Sequence, residues 1–250
     1  MGCSYHQAID KLLFVAITCC PNILYCIIKL SQYSTKPANI HYIVVKRGFC
    51  YLWDRINDTL YYWRQHTNDE LLDAQCPVIL HDNLDLHIPA ASTTQPVGFV
   101  DSDWAGDTSH HCSISGLCLC FAGAPVVYCT RFQPTISQSL TEAEFIAVVS
   151  CAKIALYLRS ILYELGFACK EPTPIYKDNV SIIDIDNWSV PTERARHIYI
   201  QYFAIQDWKE WGCIELIHIP GKLNPSDDLT KPLGWVLHSR HCRRFMGHYA

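Results

Sequence analysis

The chain has 250 residues, half of them hydrophobic, enough to bury a substantial core in one large domain or two small ones. A formal net charge of −4 argues against binding nucleic acid by bulk charge alone, although Lys and Arg can still gather on one face. The 14 cysteines match a secreted disulfide protein in number only: they sit inside apolar runs such as 16–20 and 117–121, where Cys acts as a small buried hydrophobe, and no secretory leader is evident.

Reduced thiols in the cytoplasm or nucleus are therefore expected, rather than secretion. The apolar runs 12–20 and 23–30 are divided by Pro21-Asn22, and each is too short to cross a bilayer, so no membrane partner is expected. The histidines and cysteines at His110, His111, Cys112, Cys118 and Cys120, and again at His238, His241 and Cys242, lack paired ligand spacing, so zinc is not expected either.

In chain order, residues 1–66 show helical periodicity. Leu12, Leu13, Ala16 and Ile17 form one apolar face; Ile23, Ile27, Leu30 and Tyr33 form another beyond the break at Pro21. A third helix is read over 39–53 with Ile43, Val44, Phe49 and Leu52 inward, which leaves Lys46 and Arg47 facing solvent or phosphate. A strand is read over 59–64, then a polar, Pro-containing linker over 65–95. The expected organisation is a small, mostly helical segment over 1–95 followed by a second domain over 96–250.

The stretch 97–107, VGFVDSDWAGD, reads as a strand entering from a loop and carrying Asp101. A polar turn over 106–111 leads to strands at 115–122 and 125–131, with Gly123 between them. A long helix is read over 141–165: Thr141 and Glu144 have capping-box spacing, and Gly166 stops it. Then come a strand over 173–177, helices over 179–187 and 193–211, a strand over 213–219 with Ile214, Leu216 and Ile219 inward, and a last helix from near Ser226. Three hairpin strands, a crossover helix and alternating elements predict an α/β fold, a five-stranded mixed sheet with helices on both faces.

Four acidic residues stand where such elements begin or end: Asp101, Glu144, Asp178 and Asp227. A carboxylate on a buried strand is costly unless its charge is compensated. Four brought together make a site for divalent cations, and paired cations suit phosphodiester chemistry. Each has a plainer role open to it. Glu144 could cap its helix, Asp178 could N-cap the next, and Asp103 competes with Asp101 because alternate strand residues share a face.

The blocks GFVDSDWAGD, SISG, QPTISQSLTEAEFIA, PTPIYKDN and NPSDDLTKPL, in that order over 96–233, resemble the ribonuclease H domain of copia-type LTR retrotransposon Pol polyproteins. Pro21-Asn22-Ile23 and Leu30-Ser31-Gln32 resemble blocks of the segment joining reverse transcriptase to that domain. The resemblance implies an RNase H-like fold after a connection- or thumb-like remnant of reverse transcriptase. It implies two-metal hydrolysis of the RNA strand of RNA/DNA hybrids, with Asp101, Glu144, Asp178 and Asp227 as catalytic metal ligands. The implied ions are two Mg²⁺, with Mn²⁺ as a substitute, and no small-molecule cofactor.

Asp103 would support Asp101, while Gln133, Asn179, His197 and Lys222 are candidate substrate contacts. The partners implied are the hybrid and a reverse transcriptase polymerase domain. No polymerase Asp-Asp block stands in this chain. The loop 220–225 has no His, and Phe132 stands where a Lys is expected. Lost cations weaken a grip on phosphate, which keeps two alternatives open: an inactive RNA/DNA-binding remnant of the same fold, or a protein-interaction scaffold.

Overall fold

The computed structural model describes residues 4–62, 95–106, 111–180 and 196–246. Helix α1 (Tyr5–Thr18) begins on a capping box: the Ser4 hydroxyl accepts from the Gln7 amide, and the Gln7 side chain accepts from the Ser4 amide. It buries Tyr5, Ala8, Ile9, Leu12 and Ala16, while Ile17, expected on that face, is exposed. The turn at Pro21–Ile23 is 3-10, and α2 (Leu24–Ser31) buries Leu24, Ile27 and Leu30. Tyr33, expected to continue that face, is exposed.

Helix α3 (Asn39–Asp54) departs further from expectation. Only Val45 is buried, Ile43 and Phe49 are exposed, and Val44 and Leu52 are partly covered. Helix α3 packs on α1 along the side that carries Gly48, where a Cβ would stand 3.5 Å from Leu12, in ordinary contact. Lys46 and Arg47 are exposed. The strand read over 59–64 is absent from its described part, 59–62. There the Tyr61 amide donates to the Met246 carbonyl at 3.0 Å, and the Tyr62 hydroxyl to the Pro125 carbonyl at 2.7 Å. The linker lies outside the described residues but for Gln95.

The sheet has five strands: β1 (Val97–Asp103), β2 (Ile114–Phe121), β3 (Ala124–Phe132), β4 (Thr173–Lys177) and β5 (Ile214–His218), in the order β3-β2-β1-β4-β5. The first three pair antiparallel; β4 runs parallel to β1, and β5 parallel to β4. Alternation along β1 sends Val97 and Phe99 to a core shared with α1, α2 and α3, and Val100 to a core with α4 (Leu140–Glu164). Helices α5 (Arg196–Glu210) and α6 (Trp235–Phe245) follow β4 and β5. A five-stranded mixed sheet in this order, covered by helices on both faces, is an RNase H-like α/β fold.

Two further sequence readings need correction. The cap of α4 is Ser139, not Thr141: its hydroxyl accepts from the Glu142 amide at 3.2 Å, and Glu142 accepts from the Gln138 amide at 2.7 Å. The last helix does not begin at Ser226. Residues Pro225–Leu229 form a 3-10 turn with Asp227 and Asp228 in it, because Pro232 and Gly234 interrupt the chain before Trp235. Helix α4 is also long and apolar enough to cross a membrane, by length and composition. Half of that window is buried in the protein, with Ala147, Val148, Cys151 and Ala155 packed on the sheet. Gly166 closes α4 as read, at φ +86°. The helix read over 179–187 lies outside the described residues from 181 onward. No disulfide forms among the described residues.

Candidate active site

Asp101 lies one residue past the middle of β1 and is almost wholly buried. Its strand partner is Gly116, in the SISG block. A Cβ at Gly116 would stand 2.6 Å from Thr230 Cγ2 and 2.8 Å from Leu229 Cβ. Only a residue without a side chain lets the turn Pro225–Leu229 lie down on the sheet here. Asn224 fastens that turn: its Nδ2 donates to the Val100 carbonyl at 3.0 Å, and its Oδ1 accepts from the Ser226 hydroxyl at 2.5 Å. The Thr130 hydroxyl donates to the Leu229 carbonyl at 2.7 Å. The Thr230 hydroxyl then donates to Asp101 Oδ2.

Glu144 reaches the same place from the first turns of α4. Because Ser139 and Glu142 do the capping, Glu144 is released from that role and is buried. Asp178 follows the end of β4. Its Oδ2 lies 3.1 Å from where a Cβ at Gly221 would stand, so the turn Gly221–Leu223 backs closely on it. Carboxylate oxygens of Asp101, Glu144 and Asp178 all lie within 4.8 Å of one another.

Asp227 is buried and joins the group through Lys231, whose Nζ is 3.1 Å from Asp227 Oδ1 and 3.5 Å from Asp101 Oδ2. Burial, with the Asp101 charge nearby, pushes the Asp227 carboxyl up to about 7, against the pull of Lys231. Burial and Asp101 also raise Asp178. Asp103 is raised by burial, with Asp101 adding to it and Lys231 and Lys29 opposing. For Lys231, burial works against the charged form, but Asp101 and Asp227 outweigh it and the net direction is upward.

A second ammonium group stands inside the cluster. Lys177 is buried, and its Nζ is ion-paired with Glu144. Burial lowers Lys177 to about 8, although Asp101 and Asp178 favour its charge. Four carboxylates therefore face two lysines. The oxygen donors fit a hard divalent cation, which prefers carboxylates and its own waters. Lys177 competes for Glu144 with any such ion.

The remaining residues read as contacts fall differently. Gln133 is buried: its Nε2 donates to Ser115 Oγ at 2.8 Å and to the Ala143 carbonyl at 2.7 Å, and its Oε1 accepts from Ser137 at 2.7 Å. It braces the end of β3 against the start of α4 and faces the interior. Asn179 is half-buried beside Asp178, and Lys222 is exposed on the turn behind Asp178. His197 lies on α5, with its side chain outside the described residues. Sequence reasoning missed Lys177, Asn224 and the hydroxyl of Thr230. The last two stand within the NPSDDLTKPL block, which was the available signal.

Fold and cluster together define an RNase H-like domain. The chain is similar along nearly its whole length to plant retrotransposon Pol polyproteins, consistent with a copia-type element. It is 27% identical over 240 residues to the retrovirus-related Pol polyprotein from transposon RE2 of Arabidopsis thaliana, covering 96% of this chain and 15% of that protein. It is 27% identical over 227 residues to the corresponding polyprotein from transposon TNT 1-94 of Nicotiana tabacum, covering 91% of this chain and 15% of that protein. The chain thus spans about 15% of the length of these curated relatives. No family model matches it. Among solved structures, it is similar to LC11-RNase H1 isolated from compost, with a TM-score of 0.42 and 13% identity over 55% of this chain and 93% of that one.

Proposed function

We propose that the chain is the ribonuclease H part of a retrotransposon Pol polyprotein and hydrolyses the RNA strand of RNA/DNA hybrids. The observation that carries this reading is the meeting of Asp101, Glu144 and Asp178 from three separate elements, within reach of one cation. Asp227, tied to Asp101 through Lys231, completes the acidic group. Two Mg²⁺ ions, or Mn²⁺, held by these carboxylates would activate the attacking water and stabilise the leaving oxygen.

The chain's own side chains prepare that site. Thr230 and the β1–β2 pairing hold Asp101 in one orientation. On this reading the partly exposed Lys231 and the exposed Lys222 meet phosphate oxygens. Asn179, next to Asp178, would read a 2′-hydroxyl, the group that separates RNA from DNA. The helices of the N-terminal segment then serve as the connection to a polymerase domain, the partner this reading implies.

A second reading, a hybrid-binding domain without cleavage, is favoured by one observation: the Lys177 ammonium already neutralises Glu144. Incubating the chain with Mg²⁺ and a hybrid labelled in its RNA strand separates the two. The nuclease reading expects the RNA to be cut in the hybrid and spared in an RNA duplex. Binding without cutting would leave the second reading standing.

A further inference from the structure

Large apolar side chains stand exposed at the rim of the acidic cluster. Trp104 comes one residue after β1, three after Asp101, and is 46% exposed. Ile136, in the loop before α4, is 63% exposed, and Leu140, the first residue of α4, is 47% exposed. Leu140 and Glu144 are four residues apart on that helix and so share a face. Apolar groups gathered beside a polar site mark a contact surface.

Trp104 is exposed but not loose. Its Nε1 donates to the Ser137 carbonyl at 3.1 Å. The next amide, that of Ala105, donates to the Ser113 hydroxyl at 3.3 Å, with Ala105 at φ +53°. The Ser137 hydroxyl donates to Gln133, and Gln133 donates to the Ala143 carbonyl, one residue before Glu144. One hydrogen-bonded frame therefore ties the indole to the backbone beside Glu144. The single polar atom of the ring is satisfied inside the protein, and much of the ring is left in water. A side chain ordered on folding loses little further freedom on binding, which favours contact.

We propose that Trp104, with Ile136 and Leu140, lies against the sugar faces of a wide, shallow minor groove and so selects the shape of an RNA/DNA hybrid over that of B-form DNA. This rests on the hybrid being the ligand, as proposed above. The rim is continuous with the cluster: β1 leads from Asp101 to Trp104, and α4 leads from Leu140 to Glu144. A duplex whose scissile phosphate reaches those carboxylates passes over these neighbours. In a paired duplex the base faces are closed to stacking, and the apolar surface left in the minor groove is the C–H edge of the sugars. An A-form minor groove is wide and shallow. That of B-form DNA is about 6 Å wide, too narrow for an indole lying beside a second bulky side chain. The three side chains carry no charge, so they act on shape, while phosphate is left to the lysines.

The test measures binding of the full chain, in an Asp101→Asn background where cleavage is removed, to a hybrid and to a DNA duplex of the same sequence. Adding Trp104→Ala should weaken hybrid binding at least about tenfold, the effect of leaving a large apolar side chain's contact surface wet. The salt dependence should stay unchanged, because no phosphate contact is lost. Binding to the DNA duplex should change less than about twofold. Trp104→Phe should restore most of the affinity for the hybrid, and Ile136→Ser should weaken it. Trp211→Phe, at an exposed tryptophan after α5, should leave both affinities as they were. Unchanged hybrid binding by Trp104→Ala, a loss shared equally by the DNA duplex, or a loss that Trp104→Phe does not rescue would overturn the proposal. Cleavage by the otherwise wild-type chain is read separately. If that chain cuts hybrids and Trp104→Ala binds them normally, only this inference falls; if it neither binds nor cuts them, the nuclease reading falls as well.

Discussion

Lys177 and Glu144 form an ion pair in the interior, one residue along the chain from Asp178. A lysine paired inside a cluster of carboxylates does what a bound cation does: it lowers their mutual repulsion. Lys177→Met removes that competitor while keeping an apolar stem of similar length. The Mg²⁺ concentration for half-maximal effect should fall at least about tenfold, roughly 1.4 kcal/mol, since like charges a few ångströms apart interact at least that strongly in a partly dry site. Calorimetric titration with Mn²⁺ reads this directly. An unchanged affinity would mean that Lys177 leaves Glu144 without cost when metal enters.

The turn that carries Asp227 rests on Gly116. In Gly116→Ala the new methyl meets Thr230, Leu229 and the Ser226 carbonyl, all at 3.0 Å or less. The backbone must shift, and a loss of about 1–3 kcal/mol is expected by denaturant unfolding. Metal affinity should fall with it, because Thr230 holds Asp101.

Asn224→Ala tests the same anchor from the other side. It leaves the Val100 carbonyl without its donor and the Ser226 hydroxyl without its acceptor, both in the interior. The expected cost is about 1–3 kcal/mol. A loss under about 0.5 kcal/mol would show that the turn is held by packing alone.

Asp227 sets a pH dependence for the metal-free protein. Its carboxyl is raised from an ordinary value near 4 to about 7. Between those values the folded chain holds a proton that the unfolded chain has lost. The stabilising contribution is therefore full below about pH 4 and is lost as pH rises through 7. With a chelator present, unfolding across this window should show Asp227→Asn losing less stability than wild type between pH 5 and 8. Equal slopes would contradict the placement of Asp227 against Asp101.

Much of this was legible in the sequence because it lies in local pattern. Strand alternation around Asp101, the Pro21 break and Gly166 after α4 each act within a few residues. Most of what escaped depends on contacts far apart in the chain, as in the packing of α3 on α1 where Gly48 meets Leu12. The cap at Ser139 is the exception, a local competition between neighbouring hydroxyls. Lys177 stands in plain view within IYKDN, but nothing local says that its ammonium turns inward to Glu144.

The central claim is that Asp101 belongs to a hydrolytic metal site. It is tested most directly by comparing wild type with Asp101→Asn for Mg²⁺-dependent cleavage of a labelled RNA/DNA hybrid, with hybrid binding measured alongside. Cleavage should fall at least about a hundredfold while binding is kept, as befits the loss of several kcal/mol of metal-derived stabilisation. Equal cleavage by the two proteins, or none by either, would contradict it.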